Sequence, residues 1–372
     1  MDNTKIGNKE AIALLVTITF NHIILNITKS IINVTASASL LNILYIGIIV
    51  IIFTCIICYF LKRFPTFDLI DISNYLGGNL LKWFIGLAYI AYFIFFGGIL
   101  LNLFSSFLKI IYFPLTNLFY IILFFILATI LSCNMKHNAI YRTTLIFFPF
   151  LIINILLLFF ADINYYEVEK IYPLLGNGLF TTFISGLCNM FAFQALAYIY
   201  FMPPILKKPE QIKKISVTAI VLSCIFLLLS LSIILFMFSG FIVTDELMPL
   251  YSATKYLEFG SFFRKLDSLY LLIWIISFVN YLCITLKFSS NILKKLTNSK
   301  NCLIFNFLLG ICMLIVSLLP KNTSISIYYS NIVYKYAFFI LIIGISFLVL
   351  LLATLKEFLR RWLKWVKTVL VL

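Results

Sequence analysis

Polar side chains interrupt several otherwise apolar stretches of this sequence, and these are the residues whose chemistry suggests a function. Amide, imidazole and hydroxyl groups hold a small polar ligand by hydrogen bonds and avoid the cost of a buried charge. The pattern therefore predicts a ligand-binding site and no catalytic centre. The candidates are Asn21, His22 and Asn26 in the first stretch, Asn189, Phe193 and Gln194 in the sixth, and Trp274 and Ser277 in the eighth.

Each candidate also has a structural interpretation, because polar groups within a membrane usually face the bundle interior and bond neighbouring helices. His22 and Asn26 are four residues apart and are expected to share a helix face, whereas the adjacent Asn21 and His22 are not. Phe193 is more often a core residue than a ligand wall. Trp274 and Ser277, spaced by three, are expected on an inward face.

The elements that must position these groups are long apolar helices. Hydrophobic residues make up 63% of the 372 residues and charged residues 11%, and a membrane-spanning helix needs about 20 apolar residues. We predict an all-α integral membrane protein with a single domain over residues 1–372. The ten predicted helices are Asn8–Thr28, Ser39–Leu61, Leu80–Lys109, Asn117–Asn134, Tyr141–Ala161, Leu179–Met202, Ile215–Phe241, Asp267–Asn291, Cys302–Pro320 and Asn331–Leu355.

The distribution of charge predicts the orientation. The net charge is +15, and with a cytoplasmic N-terminus the inside connectors hold more than twice as many Lys and Arg residues as the outside ones. Because short cytoplasmic loops are rich in these residues, both termini are expected in the cytoplasm. The basic tail over 356–372 is expected to anchor on anionic lipid, with partner docking as the alternative.

Ten helices divide into two halves of five, about 8–161 and 179–355. An odd number of helices per half inverts the second half in the membrane, as an inverted repeat requires. Helices 1 and 6 then correspond, and both are expected to be interrupted near mid-membrane. A central cavity is expected between helices 1, 3, 6 and 8.

Features of enzymes and of metal proteins are missing from the sequence. The eight cysteines are scattered among the predicted helices, and only two histidines are present. We find no metal-ligand spacing, nucleotide-binding loop or catalytic triad. The sequence predicts a protein without enzymatic activity, cofactor or bound metal, in which the cysteines are small packing residues.

Three motifs carry a resemblance to a known family. They are Phe64-Pro65-Thr66-Phe67 followed by Asn74-Tyr75-Leu76-Gly77 and Trp83, then Pro173-Leu174-Leu175-Gly176 with Gly178, and Arg264-Lys265-Leu266-Asp267-Ser268-Leu269 running into Trp274-Ile275-Ile276. They resemble the B subunit of bacterial spore germinant receptors. That endospore germination permease family belongs to the amino acid–polyamine–organocation transporter superfamily.

The resemblance implies a nutrient sensor of the spore inner membrane with a permease fold. Its ligand would be a small germinant such as an amino acid, and its partners an A-type subunit and a lipoprotein C-type subunit, with no role for nucleic acid. The alternatives are an ion-coupled secondary amino-acid transporter and a structural subunit that binds nothing. Leu25, Asn26 and Ile27 stand where the family has small residues, which leaves open whether helix 1 is broken.

Overall fold

The computed structural model describes residues 5–135, 139–161, 163–238, 246, 248–255, 266–299 and 301–370. Within these residues every regular element is helical, and the one β-bridge joins Ile6 to Leu206. The prediction of an all-α protein is confirmed.

The helices coincide in sequence with the ten predicted segments, and we number them accordingly. A further short helix, Pro249–Thr254, lies between helices 7 and 8. The bounds are Asn8–His22, Ile23–Ile27 and Thr28–Thr35 for helix 1, Ser39–Leu61 for helix 2, Leu69–Ile111 for helix 3, Leu118–Cys133 for helix 4, Ala139–Ala161 for helix 5, Phe180–Ile184, Ser185–Ala192 and Ala195–Ile199 for helix 6, Ile212–Met237 for helix 7, Leu266–Thr297 for helix 8, Cys302–Leu318 for helix 9, and Thr323 to Leu370 for helix 10.

Length and apolar composition make this an integral membrane protein. Among the described residues, six helical stretches are long and apolar enough to cross a bilayer, and the first of them, Asn8–Leu61, contains both helix 1 and helix 2. Helices 4, 6 and 9 are apolar but shorter, at 10–17 residues. The count of ten membrane spans therefore stays a prediction.

Helices 1, 3 and 10 are longer than predicted. Helix 1 continues to Thr35 and ends where Ala36 adopts a φ of 49°. Helix 3 begins at Leu69, where the Asp68 side chain accepts hydrogen bonds from the N–H groups of Ile70 and Asp71. Helix 3 kinks at Gly78, whose φ of 66° suits glycine, so that residues 69–76 form a separate short helix, the 69–76 helix. Helix 10 continues through the basic tail as far as Leu370.

Helices 3 and 8 pack together, and helix 3 also packs on helices 4, 9 and 10. Gly97 and Gly98 allow helix 9 to approach helix 3 closely, because a Cβ atom on Gly98 would lie 2.8 Å from Val316 Cγ1. This agrees with the sequence-based interpretation of the glycine pair as a packing feature.

Several helix contacts recur in pairs. Helix 5 packs on helices 1, 7 and 8, and helix 10 packs on helices 6, 2 and 3. In a repeat of five helices, helices 1, 7 and 8 correspond to helices 6, 2 and 3. Helices 5 and 10 therefore have corresponding packing partners.

Helix 6 is irregular along its length, and a side chain from helix 2 explains why. Asn42 donates a 2.7 Å hydrogen bond from Nδ2 to the Thr182 carbonyl, and its Oδ1 accepts a 2.8 Å bond from Asn189 Nδ2. A side chain inserted beside a helix in this way disrupts the regular hydrogen-bond ladder. Gly186 provides the space, because a Cβ atom there would clash with Asn42. The helix ends its 3₁₀ segment at Phe193, where φ is −90° and ψ is 65°.

Candidate ligand-binding site

A π-helical turn over Ile23–Ile27 widens helix 1 at its middle. Such turns add a residue to the helix and often occur at functional sites. The backbone before and after the turn, at His22 and Thr28, is right-handed helical. Helix 1 is therefore widened and not interrupted, whereas helix 6 is interrupted as expected. A chain without Gly or Pro at this point can form the wider turn because it needs no unusual φ angle.

His22, which immediately precedes the π turn, is buried in a cluster of aromatic rings. Its Nε2 atom lies 3.0 Å from the Tyr281 hydroxyl on helix 8. The imidazole stacks on the Tyr334 ring of helix 10, with centroids 5.7 Å apart. The Tyr334 ring also packs on the rings of Phe96 and Tyr92 of helix 3 and of Phe191 of helix 6. The ring centroids are 4.3, 5.5 and 6.1 Å apart, respectively. We call this set the central aromatic cluster: His22, Tyr92, Phe96, Phe191, Tyr281 and Tyr334.

Asn21 and Asn26 form hydrogen bonds with two different helices. Asn21 Nδ2 donates to Ser277 Oγ of helix 8 over 2.9 Å and to the Thr17 carbonyl over 2.8 Å. Asn26 Nδ2 donates to Ser330 Oγ over 2.9 Å and to Asn331 Oδ1 over 2.6 Å, both on helix 10. The Oδ1 atom of each asparagine is buried without a hydrogen-bond partner among the described residues.

The expectation about helix faces holds for one pair and fails for the other. His22 and Asn26 both contact helix 10, as expected. Asn21 and His22 were expected on different faces, but both reach helix 8. Adjacent residues are about 100° apart around a helix, so two side chains of this length can meet one neighbouring helix. Asn26 lies within the π turn, Ile23–Ile27, which begins directly after His22.

The helix 6 candidates have different surroundings. Asn189 is committed to Asn42 of helix 2, so the structure gives it a structural contact. Phe193 is fully buried where the chain leaves the helical conformation. Gln194 follows it and is 2% exposed, and its Nε2 donor has no acceptor among the described residues. An unmatched buried donor is a position at which a ligand oxygen would bind.

Of the helix 8 candidates, Ser277 joins the site and Trp274 belongs to a neighbouring layer. The Trp274 ring packs on Phe104 and Phe107 at 4.8 and 5.3 Å. Phe107 in turn contacts Tyr251, from the short helix Pro249–Thr254. In the described residues Trp274 has no ring contact with the central aromatic cluster.

Helix 10 was missed as a wall of the site. Ser330, Asn331 and Tyr334 all contribute to it, and the first two lie in a second π turn, Tyr329–Val333. The available signal was the pair of polar residues Ser330 and Asn331 with a tyrosine four residues after the first. The sequence pattern instead places Asn331 at the start of the tenth predicted helix. Tyr281 was missed because a tyrosine in a predicted span is usually a core residue.

A separate cavity of about 450 Å³ lies at the end of the bundle that the charge pattern assigns to the cytoplasm. Phe201 and Phe288 contribute to its walls, and Lys295 closes one side by pairing with Asp68 over 2.7 Å and with Asp71. Burial raises the pKa of Asp68 to about 6, and the Lys295 ammonium opposes that shift. The ion pair fastens helix 8 to the start of helix 3.

No group of three or more His, Cys, Asp or Glu side chains that could hold a metal occurs among the described residues. Arg264 and Lys265, two residues of the third motif, lie outside the described residues.

Comparison with known proteins identifies the family. No curated protein matches the chain. The sequence model of the spore permease family, described as spore germination protein, matches residues 5–325, which include helices 1 to 9 and the polar groups of helices 1, 6 and 8. These residues cover most of the 372-residue chain, and the chain therefore belongs to the spore germination protein family of membrane permeases.

Proposed function

We propose that this chain is the nutrient-sensing membrane subunit of a spore germinant receptor, and that it binds a small germinant such as an amino acid. The observation that carries the proposal is a set of buried polar atoms on the two irregular helices that have no hydrogen-bond partner in the part of the chain that the structure describes. Asn21 and Asn26 present acceptors on helix 1, and Gln194 presents a donor on helix 6.

The chemistry of these atoms favours a zwitterion. An ammonium group donates hydrogen bonds and fits Asn21 Oδ1 or Asn26 Oδ1, whereas a carboxylate accepts them and fits Gln194 Nε2. Neutral amides suit a ligand whose own charges cancel, because no protein charge has to be buried in the empty site. Aromatic rings of the central cluster provide an apolar surface for the ligand side chain.

The permease-type architecture is part of the same proposal. Ten spans in a five-plus-five inverted repeat agree with the exchange of packing partners between helices 5 and 10. The irregularities of helices 1 and 6 also agree with it. Both termini then lie in the cytoplasm and the protein in the spore inner membrane. A reporter that fluoresces only in the cytoplasm, fused to either terminus, tests the orientation, and a dark but well-expressed fusion would contradict it.

Signalling requires that the ligand prefer one conformer of the bundle over another. Helices 1, 3, 6, 8 and 10 all meet at the central aromatic cluster, so a ligand there contacts elements from both halves of the chain. The change of conformation would then act on A-type and lipoprotein C-type subunits that contact this chain. Isolation of the tagged chain from spores, followed by identification of the proteins bound to it, tests this partnership. Recovery of the chain without such subunits would contradict it.

The experiment that tests the proposal uses the purified full chain in lipid nanodiscs. We expect one or more of the twenty amino acids to raise its unfolding temperature in a saturable manner, because a ligand that binds only the folded state stabilises it. In vesicles, the same amino acid should not accumulate. Robust uptake into vesicles would favour an ion-coupled transporter, and no stabilisation by any amino acid would contradict the proposed ligand class.

A further inference from the structure

A groove of about 970 Å³ opens between the 69–76 helix and the final part of helix 10. Tyr75 and Leu76 form one wall. The wall on helix 10 is a row of exposed leucines at spacings of three and four residues, which places them on one helix face. These leucines are Leu352, Leu355, Leu359 and Leu363.

Two cations border the groove, and they have different surroundings. Lys356 Nζ donates to the carbonyls of Tyr75 and Leu76 over 2.9 and 3.2 Å, and it lies 4.9 Å from the Tyr75 ring centroid. Lys356 therefore ties the two walls together at the end of the 69–76 helix, where helix carbonyls lack internal partners. Arg360 forms no hydrogen bond or ion pair with a described residue, and Glu357 is bound through Oε1 to Arg361.

The groove lies where helix 10 changes from apolar to basic. The apolar part of the helix precedes Lys356, and Arg360 and Arg361 follow it. At such a boundary the bilayer offers amphiphiles with an apolar chain and a charged headgroup, and basic side chains there attract anionic lipid. The leucine row matches the chain, and the unengaged guanidinium matches a phosphate, which Arg binds in a bidentate manner.

We propose that this groove is a binding site for one anionic phospholipid, with an acyl chain along the leucine row and the phosphate at Arg360. The bound lipid would contact both the 69–76 helix and helix 10. The 69–76 helix also meets the end of helix 6, because Leu69 N–H donates to the Tyr200 carbonyl over 3.2 Å. The 69–76 helix therefore contacts the lipid groove at Tyr75 and Leu76, and it begins after Asp68, which lines the cavity beside Lys295.

Native mass spectrometry of the full chain, with phosphatidylglycerol and phosphatidylcholine of equal chain length, tests this site. We expect the anionic lipid to bind about fivefold more tightly, as one Arg contact at a membrane surface predicts. Arg360→Gln should remove this preference, and Arg360→Lys should keep it. The matched control is Arg142→Gln, at an exposed arginine near the start of helix 5, which should leave the preference unchanged.

Leu359→Gln is an independent test of the apolar part of the site. It should weaken the binding of both lipids while leaving the charge at Arg360 intact. Equal affinity of the two lipids for the unmodified chain would overturn the proposal. An equal loss of the preference for phosphatidylglycerol in Arg142→Gln and Arg360→Gln would also overturn the proposal. That result would indicate only a general effect of surface charge. Displacement of phosphatidylglycerol by glycerol phosphate at similar concentration would show a site for a free phosphate instead of a lipid.

Discussion

Asn26 Nδ2 donates a hydrogen bond to Asn331 Oδ1 over 2.6 Å and thereby joins two π turns, one in helix 1 and one in helix 10. These helices lie in opposite halves of the chain. A π turn inside an α-helix is rare, and such turns frequently occur at functional sites. Each π turn therefore provides one of the two residues of this hydrogen bond, beside the central aromatic cluster.

The first prediction is that Asn26 and Asn331 are energetically coupled. Asn26→Ala leaves a buried amide without its partner, which should cost about 1–3 kcal/mol of stability. Asn331→Ala in the same background should then cost much less than it does alone. A double-mutant cycle on the unfolding of the purified chain measures the coupling, and additive effects of the two changes would contradict it.

The second prediction distinguishes a ligand contact from a structural one on helix 6. Gln194→Leu removes an unmatched donor and should cost about 1–3 kcal/mol of ligand affinity, equivalent to a roughly five- to 150-fold higher germinant concentration for half-maximal response. Protein level and maximal response should be kept. Dose–response curves of spores measure the shift.

Asn189→Leu is the matched control for that experiment. Asn189 is bonded to Asn42 and clamps helix 6 to helix 2, so its loss should lower the amount of folded protein and not only the affinity. An unchanged dose–response in Gln194→Leu spores would remove Gln194 from the site. Loss of Gln194→Leu protein from the membrane would support a structural role for this residue.

The third prediction concerns the hydroxyl that holds His22. Tyr281→Phe removes the 3.0 Å partner of His22 Nε2 and should destabilise the chain by about 1 kcal/mol or more. Tyr270→Phe on the same helix is the control, because the buried Tyr270 hydroxyl has no partner among the described residues. Thermal unfolding compares the two variants, and equal effects would argue against a specific bond to His22.

The fourth prediction is a pH dependence at the Lys295 ion pair. Burial raises the pKa of Asp68 above its ordinary value to about 6. The folded protein therefore binds this proton more tightly than the unfolded chain does, so ionised Asp68 opposes folding above pH 6, and this effect fades as the pH falls from about 6 towards 3.8. Protonation nevertheless removes one of the two carboxylates that pair with Lys295 and leaves only the Asp71 carboxylate paired with it.

We expect the cavity beside Lys295 to open as the pH falls from 7.5 to 5. Asn291→Cys in a cysteine-free background reports on the cavity wall, and its labelling rate is compared with that of a cysteine at the exposed Asn79. The ratio should rise at low pH. Asp68→Asn should give a high ratio at both pH values, and a pH-dependent ratio in that variant would assign the effect to another group.

Helix positions followed from the sequence because apolar length is a local property. Helix 2 has the predicted bounds, Ser39–Leu61. The 69–76 helix was not predicted, since it depends on the capping of its start by Asp68 and on the kink at Gly78. The widening of helix 1 depends on partners in helices 8 and 10, which no local pattern in residues 23–27 reveals.

The candidate site was predicted in part for the same reason. Polar residues in apolar helices marked His22, Asn26 and Gln194 as buried groups. The partners of His22 and Asn26 come from residues hundreds of positions away, such as Tyr281 and Asn331. A tyrosine or serine in a predicted span is common enough that only three-dimensional packing assigns it to a site.

An experimental structure of the full chain with a stabilising amino acid bound is the most direct test of the proposed sensor. The account predicts that the ligand ammonium lies within hydrogen-bond distance of Asn21 Oδ1 or Asn26 Oδ1. The ligand carboxylate should lie within hydrogen-bond distance of Gln194 Nε2, and the ligand side chain should contact the central aromatic cluster. A ligand bound elsewhere, or one whose carboxylate faces helix 1, would contradict it.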